Sequence, residues 1–234
     1  MHCRPAARRR AAAIDRPKMA RKICRKARRP RKKQAKRGDA SCCAGNNDPG
    51  ETRDTIRPVR EAEQRAAAEI LGVKSVTFLG FVDGELEVNL ETRRAGTRVV
   101  RRIRPEVLIA PDPSRLWSAN RYINHWDHKQ AGTLALCAVM PDAPSRPQFA
   151  ELLDEGLEPF EIPNLWLSSD DADTYVDITK TLETKINSLL AHVSQGVADS
   201  MDWVRERAKQ EGEKAGVEYA EGFKTFDLRD EDVD

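Results

Sequence analysis

The chain has 234 residues, with 40 lysines and arginines against 38 aspartates and glutamates, so the formal net charge is only +2. That total joins two unlike pieces: residues 1–37 hold 17 basic residues and one acid, Asp15, whereas the remaining 197 residues carry a charge of −14. No apolar run reaches the roughly 20 residues a membrane helix needs, no apolar segment follows the basic start as in a secretory signal, and the five cysteines, odd in number and without a C-x-x-C pair, support neither a disulfide framework nor a zinc knuckle.

Residues 1–37 lack hydrophobic periodicity. Their lysines and arginines would neutralise phosphates, but they contain no aromatic side chain on which a base could stack. They are read as a disordered or misassigned segment, and residues 38–234 as one domain large enough for a single core. Reduced thiols fit a cytoplasmic protein.

From Arg57 the pattern is regular. Pro58 is expected to open a helix with the apolar set Val59, Ala62, Ala66, Ala67, Ile70 and Leu71, ended by Gly72. Ser75–Phe81 is β-branched and aromatic and predicts a buried strand leading into the Asp83-Gly84 turn. A helix over Leu90–Ile103 is stopped by Pro105, and a second strand, Val107–Ala110, is broken by Pro111-Asp112-Pro113. Further on, the pattern predicts a helix at about Asp127–Val139, strands at Asn164–Leu167 and Thr174–Ile178, and helices at about Leu182–Val193 and Asp199–Ala215. This alternation gives an α/β fold, three-layer and Rossmann-like, with a mostly parallel sheet. In such sheets the ligand site lies beyond the carboxyl ends of the strands. The Phe81–Gly84 turn and the connection from Pro111 to His128 sit there on this pattern.

Two of the four histidines stand together in Asn124-His125-Trp126-Asp127-His128. Spacing of three residues puts both rings on one face of a helical turn. A neutral imidazole is a common zinc ligand, and a carboxylate can orient a neighbouring ring. The spacing alone equally suits exposed loop histidines beside a helix capped by Asp127.

The string Tyr122–Gly132 resembles the second motif, H-P-D-H, of the PIG-L/LmbE family of zinc-dependent de-N-acetylases. Arg60–Gln64 with Ala66–Val73 is similar to that family's Arg/Glu helix. Phe78–Leu86 resembles its turn carrying Asp-Gly, Val107–Pro113 the strand before its metal loop, and Tyr175–Thr179 with Ala191–Gln195 its C-terminal pattern. The resemblance implies metal-assisted hydrolysis of an N-acetylglucosaminyl or similar small N-acyl conjugate, with zinc as cofactor. It implies His128 as a zinc ligand, His125 as the group that polarises the carbonyl and meets the oxyanion, and Asp127 as the holder of His125. Arg60 and Asp83 are implied near the substrate; His192 and Ser194-Gln195 either line the cleft rim or end a helix, and the end-of-helix role ranks first. Trp126 replaces the family's usual proline.

The family's first motif, A-H-P-D-D, which supplies a histidine and an aspartate to zinc and a second aspartate as general base, is not found. Lys36–Ala40 resembles a segment that should follow it, yet residues 1–37 contain no such string. One expectation is an out-of-frame reading of that stretch, with the leading strands of the sheet lost. The alternatives are a catalytically dead relative that keeps a sugar cleft, and a basic arm that binds an anionic surface or nucleic acid, the latter disfavoured. As written, the chain is expected to bind zinc weakly.

Overall fold

The computed structural model describes residues 50, 52–118 and 122–229. The basic segment, and with it the expectations of an out-of-frame stretch and of lost leading strands, fall outside the described residues.

Helix α1 spans Arg53–Ile70. It starts earlier than Pro58 because Thr52 forms a capping box: the Thr55 N–H donates to Thr52 Oγ1 at 3.2 Å, and the Thr52 N–H donates to Thr55 Oγ1 at 2.9 Å. Pro58 therefore lies inside the helix, where its ring costs one backbone hydrogen bond. Of the expected apolar stripe only Ala67 is buried, beside Ile56 and Ala68, while Ala62, Ala66, Ile70 and Leu71 are exposed. The buried face differs because α1 packs on a later helix and a 3-10 turn rather than on the sheet.

Ser75–Phe81 forms no strand. Its alternation survives, with Val76, Phe78 and Phe81 half-buried and Thr77 and Leu79 exposed. A strand needs a partner for its ladder, and strand preference is set largely by such neighbours. Here Phe78 packs under the Arg65 guanidinium, 4.8 Å from its ring centroid. The turn after it does form: the Glu85 N–H donates to the Val82 carbonyl at 3.2 Å, and Gly84 has φ +84°, as position three of a type II turn requires.

Helix α2, Leu90–Ile103, has the predicted bounds. Asn89 Oδ1 accepts from the N–H groups of Glu91 (2.9 Å) and Thr92 (3.0 Å). At the far end Arg104 turns left-handed (φ 49°) ahead of Pro105. Strand β1 is Leu108–Pro111, and a two-stranded ribbon pairs β2 (Trp117–Ser118) with β3 (Tyr122–Ile123). Helix α3, Trp126–Cys137, runs into a π-helical segment, Ala138–Asp142. Strands β4 (Asn164–Ser168) and β5 (Thr174–Asp177), helices α4 (Leu182–Leu190) and α5 (Met201–Ala215), and strand β6 (Ala220–Asp227) complete the order.

The class is α/β, and the sheet runs β1-β4-β6-β5. Parallel pairing joins β1 to β4, with Leu108 opposite Leu165; in the described residues the β4–β6 and β6–β5 ladders are antiparallel. Strand β6 is absent from the sequence expectations, although it pairs on both sides. One core gathers Val100, Leu108, Ala135, Ile162 and Leu165; the other gathers Ile178, Leu182, Ile186, Met201 and Ala208.

Between the π-helical segment and β4 the chain is irregular apart from a 3-10 turn, Ala150–Leu153, and α2 holds it with arginines. Arg101, 2% exposed, donates to the carbonyls of Ala143 (3.1 Å), Asp142 (3.0 Å), Ser145 (2.8 Å) and Gln148 (3.0 Å). Arg93 makes a two-pronged contact with the buried Asp142 carboxylate, at 2.9 and 2.6 Å. Buried carbonyls that no helix or sheet satisfies thereby find donors.

Helix α3 approaches β1 closely at Gly132. A Cβ there would stand 2.3 Å from the Pro111 carbonyl oxygen and 2.9 Å from Pro113 atoms. Alanine is the better helix former by about 1 kcal/mol, so an open helical glycine would gain from the change. Gly132→Ala is instead expected to lose about 1–3 kcal/mol through overpacking against backbone. Urea unfolding measures this, and an unchanged or higher midpoint would contradict the close approach.

Candidate active site

The histidine pair stands at the start of α3. His125 is the residue before the helix, with extended backbone (φ −68°, ψ 137°), and His128 lies one turn in. Their ring centroids are 5.0 Å apart, so the spacing places both imidazoles together, as the sequence implies. Tyr122 tilts against His125 at 6.0 Å. Because Gly132 holds α3 on the Pro111–Pro113 turn, this pair sits at the carboxyl end of β1.

Asp127 does not act as the helix cap. Its carboxylate accepts the N–H of Gly84 at 2.8 Å and of Leu86 at 3.3 Å. Its neighbours bind the same segment: Trp126 Nε1–H donates to the Leu86 carbonyl at 3.1 Å, and Gln130 Oε1 accepts the Val88 N–H at 3.2 Å. Three side chains of the first turns of α3 thus hold residues 84–88, and Lys129 Nζ lies over the Trp126 ring at 5.0 Å. The indole at the position of the family's proline therefore works as a hydrogen-bond donor.

Arg60 and Asp83 are brought together, with Nη1 to Oδ2 at 3.0 Å and the Arg60 side chain 12% exposed. Asp83 adjoins Gly84, so α1, the turn and the histidine helix form one connected frame. Ser194 is buried; its N–H donates to Glu63 Oε1 at 2.6 Å and its hydroxyl to the other carboxylate oxygen. That contact fastens the Val193–Gln195 turn to α1, in keeping with an end-of-helix role for the His192–Ser194 stretch.

Sequence reasoning missed Asp112, Asn124 and Gln130. Asp112 follows β1 and accepts from Ser114 Oγ at 2.6 Å, Ser114 N at 2.8 Å and Ser169 Oγ at 2.5 Å. Burial pushes its carboxyl up, but these hydrogen bonds and nearby Arg115 outweigh it and hold the pKa below the usual carboxylate range. Asn124 Oδ1 lies 2.9 Å from the His125 N and 3.1 Å from His128 Nδ1, and its Nδ2 lies 2.7 Å from the Arg115 carbonyl. The Asp-Pro-Ser run and the asparagine directly before a histidine were the available signals.

A zinc site needs three protein ligands and an open position. Among the described residues no group of three His, Cys, Asp or Glu side chains is placed to hold a metal ion. His128 alone carries over as a ligand, so the described residues do not by themselves fit zinc.

If Asp127 holds the 84–88 segment, Asp127→Ala should expose the Gly84 and Leu86 amides to faster hydrogen exchange. A hydrogen bond to a charged acceptor contributes about 1.5–3 kcal/mol, so acceleration of about tenfold or more is expected. Unchanged protection at both amides would contradict the contact.

Residues 30–139 match the family model described as PIG-L, GlcNAc-PI de-N-acetylase. The chain is 33% identical over 171 residues to the diacetylchitobiose deacetylase of Thermococcus kodakarensis, a match covering 70% of this chain and 61% of that protein. It is 25% identical over 179 residues to a probable N-acetyl-alpha-D-glucosaminyl L-malate deacetylase 2 of Bacillus anthracis, covering 69% of this chain and 73% of that one. Among solved structures it is similar to the N,N'-diacetylchitobiose deacetylase from Pyrococcus horikoshii, with TM-score 0.70 and 29% identity over 77% of this chain and 68% of that one. With the histidine turn, the Asp-Gly turn and the strand between them in the order the resemblance implies, residues 30–139 carry the PIG-L family domain, and the chain is similar to deacetylases of the LmbE/PIG-L type while spanning about 61% of the Thermococcus relative's length.

Proposed function

We propose that the 124–128 turn and the facing 83–88 segment form the substrate-facing half of an N-deacetylase site for an N-acetylglucosaminyl or similar small N-acyl conjugate. The reaction is hydrolysis of the acetamide to an amine and acetate. What carries this reading is the pair of imidazoles 5.0 Å apart at the carboxyl end of β1, in a chain whose relatives are named as deacetylases of acetylated sugars. As water adds to the carbonyl carbon, His125 polarises the amide carbonyl and meets the developing oxyanion; it donates a proton to the amine nitrogen as the C–N bond breaks, and the proton released by the added water restores it. Asp127 keeps the turn on the 84–88 segment, and its remaining lone pairs orient His125. Arg60 and Asp83 border the cleft.

The family expectation of zinc and a carboxylate base rests on a first motif that the 234-residue sequence does not contain, and among the described residues no three-ligand group replaces it. No step is therefore assigned to a metal. The same observation favours a second reading, a relative that binds the sugar without turning it over. Among the described residues no helix is long and apolar enough to cross a membrane, and Cys137 is a free thiol; a cytoplasmic placement belongs to the proposal.

The polypeptide as written is expected to hold less than stoichiometric zinc after dialysis, and to release no amine from an N-acetylglucosamine conjugate above the blank rate. Metal analysis and amine detection measure the two. Tight stoichiometric zinc, or clear turnover abolished by His125→Ala, would show a complete site and overturn the half-site.

A further inference from the structure

The three polar contacts of the Asn124 side chain determine one another. The Arg115 carbonyl, 2.7 Å from Nδ2, can only accept, and the His125 backbone N–H, 2.9 Å from Oδ1, can only donate. Turning the amide over would set carbonyl against carbonyl and NH2 against N–H. The two backbone groups therefore fix which end of the amide is oxygen, a choice that atom positions alone leave open. The Asn124 N–H also donates to the Leu116 carbonyl at 2.8 Å, so backbone and side chain are registered on the same segment.

The oxygen end of that amide lies 3.1 Å from His128 Nδ1. An amide oxygen has no proton to give, so the hydrogen bond exists only if Nδ1 carries one. A neutral imidazole protonated at Nδ1 has its lone pair at Nε2. We propose that Asn124 is a positioning residue that fixes His128 in the Nδ1–H tautomer, so that its Nε2 is the accepting nitrogen. The arrangement is asymmetric: the Asn124 oxygen takes the backbone N–H of His125 and the ring N–H of His128. Its catalytic meaning rests on the proposed deacetylase site, whereas the tautomer itself rests only on these contacts and can be read without turnover.

The test is a long-range 1H–15N correlation spectrum of the uniformly labelled chain, recorded above the imidazole titration range, with His128 assigned by its loss in His128→Gln. The expected pattern is a protonated-type shift at Nδ1 and a lone-pair-type shift at Nε2. In Asn124→Ala the pattern should be lost, with the proton moving predominantly to Nε2, the tautomer free histidine prefers. Asn124→Asp, which keeps an acceptor but cannot donate to the Arg115 carbonyl, should retain Nδ1–H; rescue there separates the tautomer from a purely structural role. A wild-type His128 protonated at Nε2, or an Nδ1–H pattern that survives Asn124→Ala, would overturn the proposal. The wild-type spectrum decides even if a variant fails to fold, and absent deacetylation would not alter its outcome.

Discussion

The close approach of α3 to the end of β1 governs the rest of the molecule. Only a residue without a Cβ lets the helix axis come this near the Pro111–Pro113 turn. That proximity sets the helix start at the carboxyl end of the strand, where open α/β sheets bind ligands. With α3 anchored there, Trp126, Asp127 and Gln130 reach the 84–88 segment and hold its backbone groups. Asp83 then meets Arg60 on α1. A single steric requirement in mid-helix thus propagates through polar contacts to the 83–88 segment and Arg60.

The opposite end of α3 faces a different problem. Past the π-helical segment the chain runs through residues 143–163 with only a short 3-10 turn, Ala150–Leu153, and buries carbonyls that no ladder satisfies. Helix α2 answers with Arg101, whose guanidinium is surrounded by backbone oxygens, and with Arg93 on the buried Asp142 carboxylate. An apolar residue at position 101 would remove the guanidinium from the Asp142 and Gln148 carbonyls, each loss costing about 1–3 kcal/mol, whereas Ala143 and Ser145 keep the N–H groups of Phe160 and Gln148. The −14 charge of residues 38–234 is therefore a poor guide to their interior, because arginines do much of the internal bonding.

Elements defined by local chemistry were legible in the sequence. Pro105 marks the end of α2, and the helix bounds came out as read. The Asp83-Gly84 turn followed from the glycine, and the facing of His125 and His128 from helical spacing. Elements defined by distant partners were not. Strand β6 pairs on both sides, yet only Ala220 and Phe223 are buried, and Glu221, Gly222, Lys224 and Asp227 break any apolar run. Ser75–Phe81 has strand composition and no neighbour to pair with among the described residues. Pro58 signals a helix start, but the Thr52–Thr55 capping box nucleates the helix earlier. At the site, the histidines were visible by type, whereas the roles of Asn124 and Asp127 depend on backbone groups far along the chain or across a turn.

The proposed binding of an N-acetylated sugar at the first turn of α3, docked on the 84–88 segment, is open to direct measurement. Titrating the 15N-labelled chain with N,N'-diacetylchitobiose and following backbone amides tests it most directly. The account predicts saturable shifts concentrated at residues 83–88 and 124–130, with α5 and β6 unmoved. Saturable binding centred elsewhere, or no shift in these two segments at millimolar sugar, would contradict it.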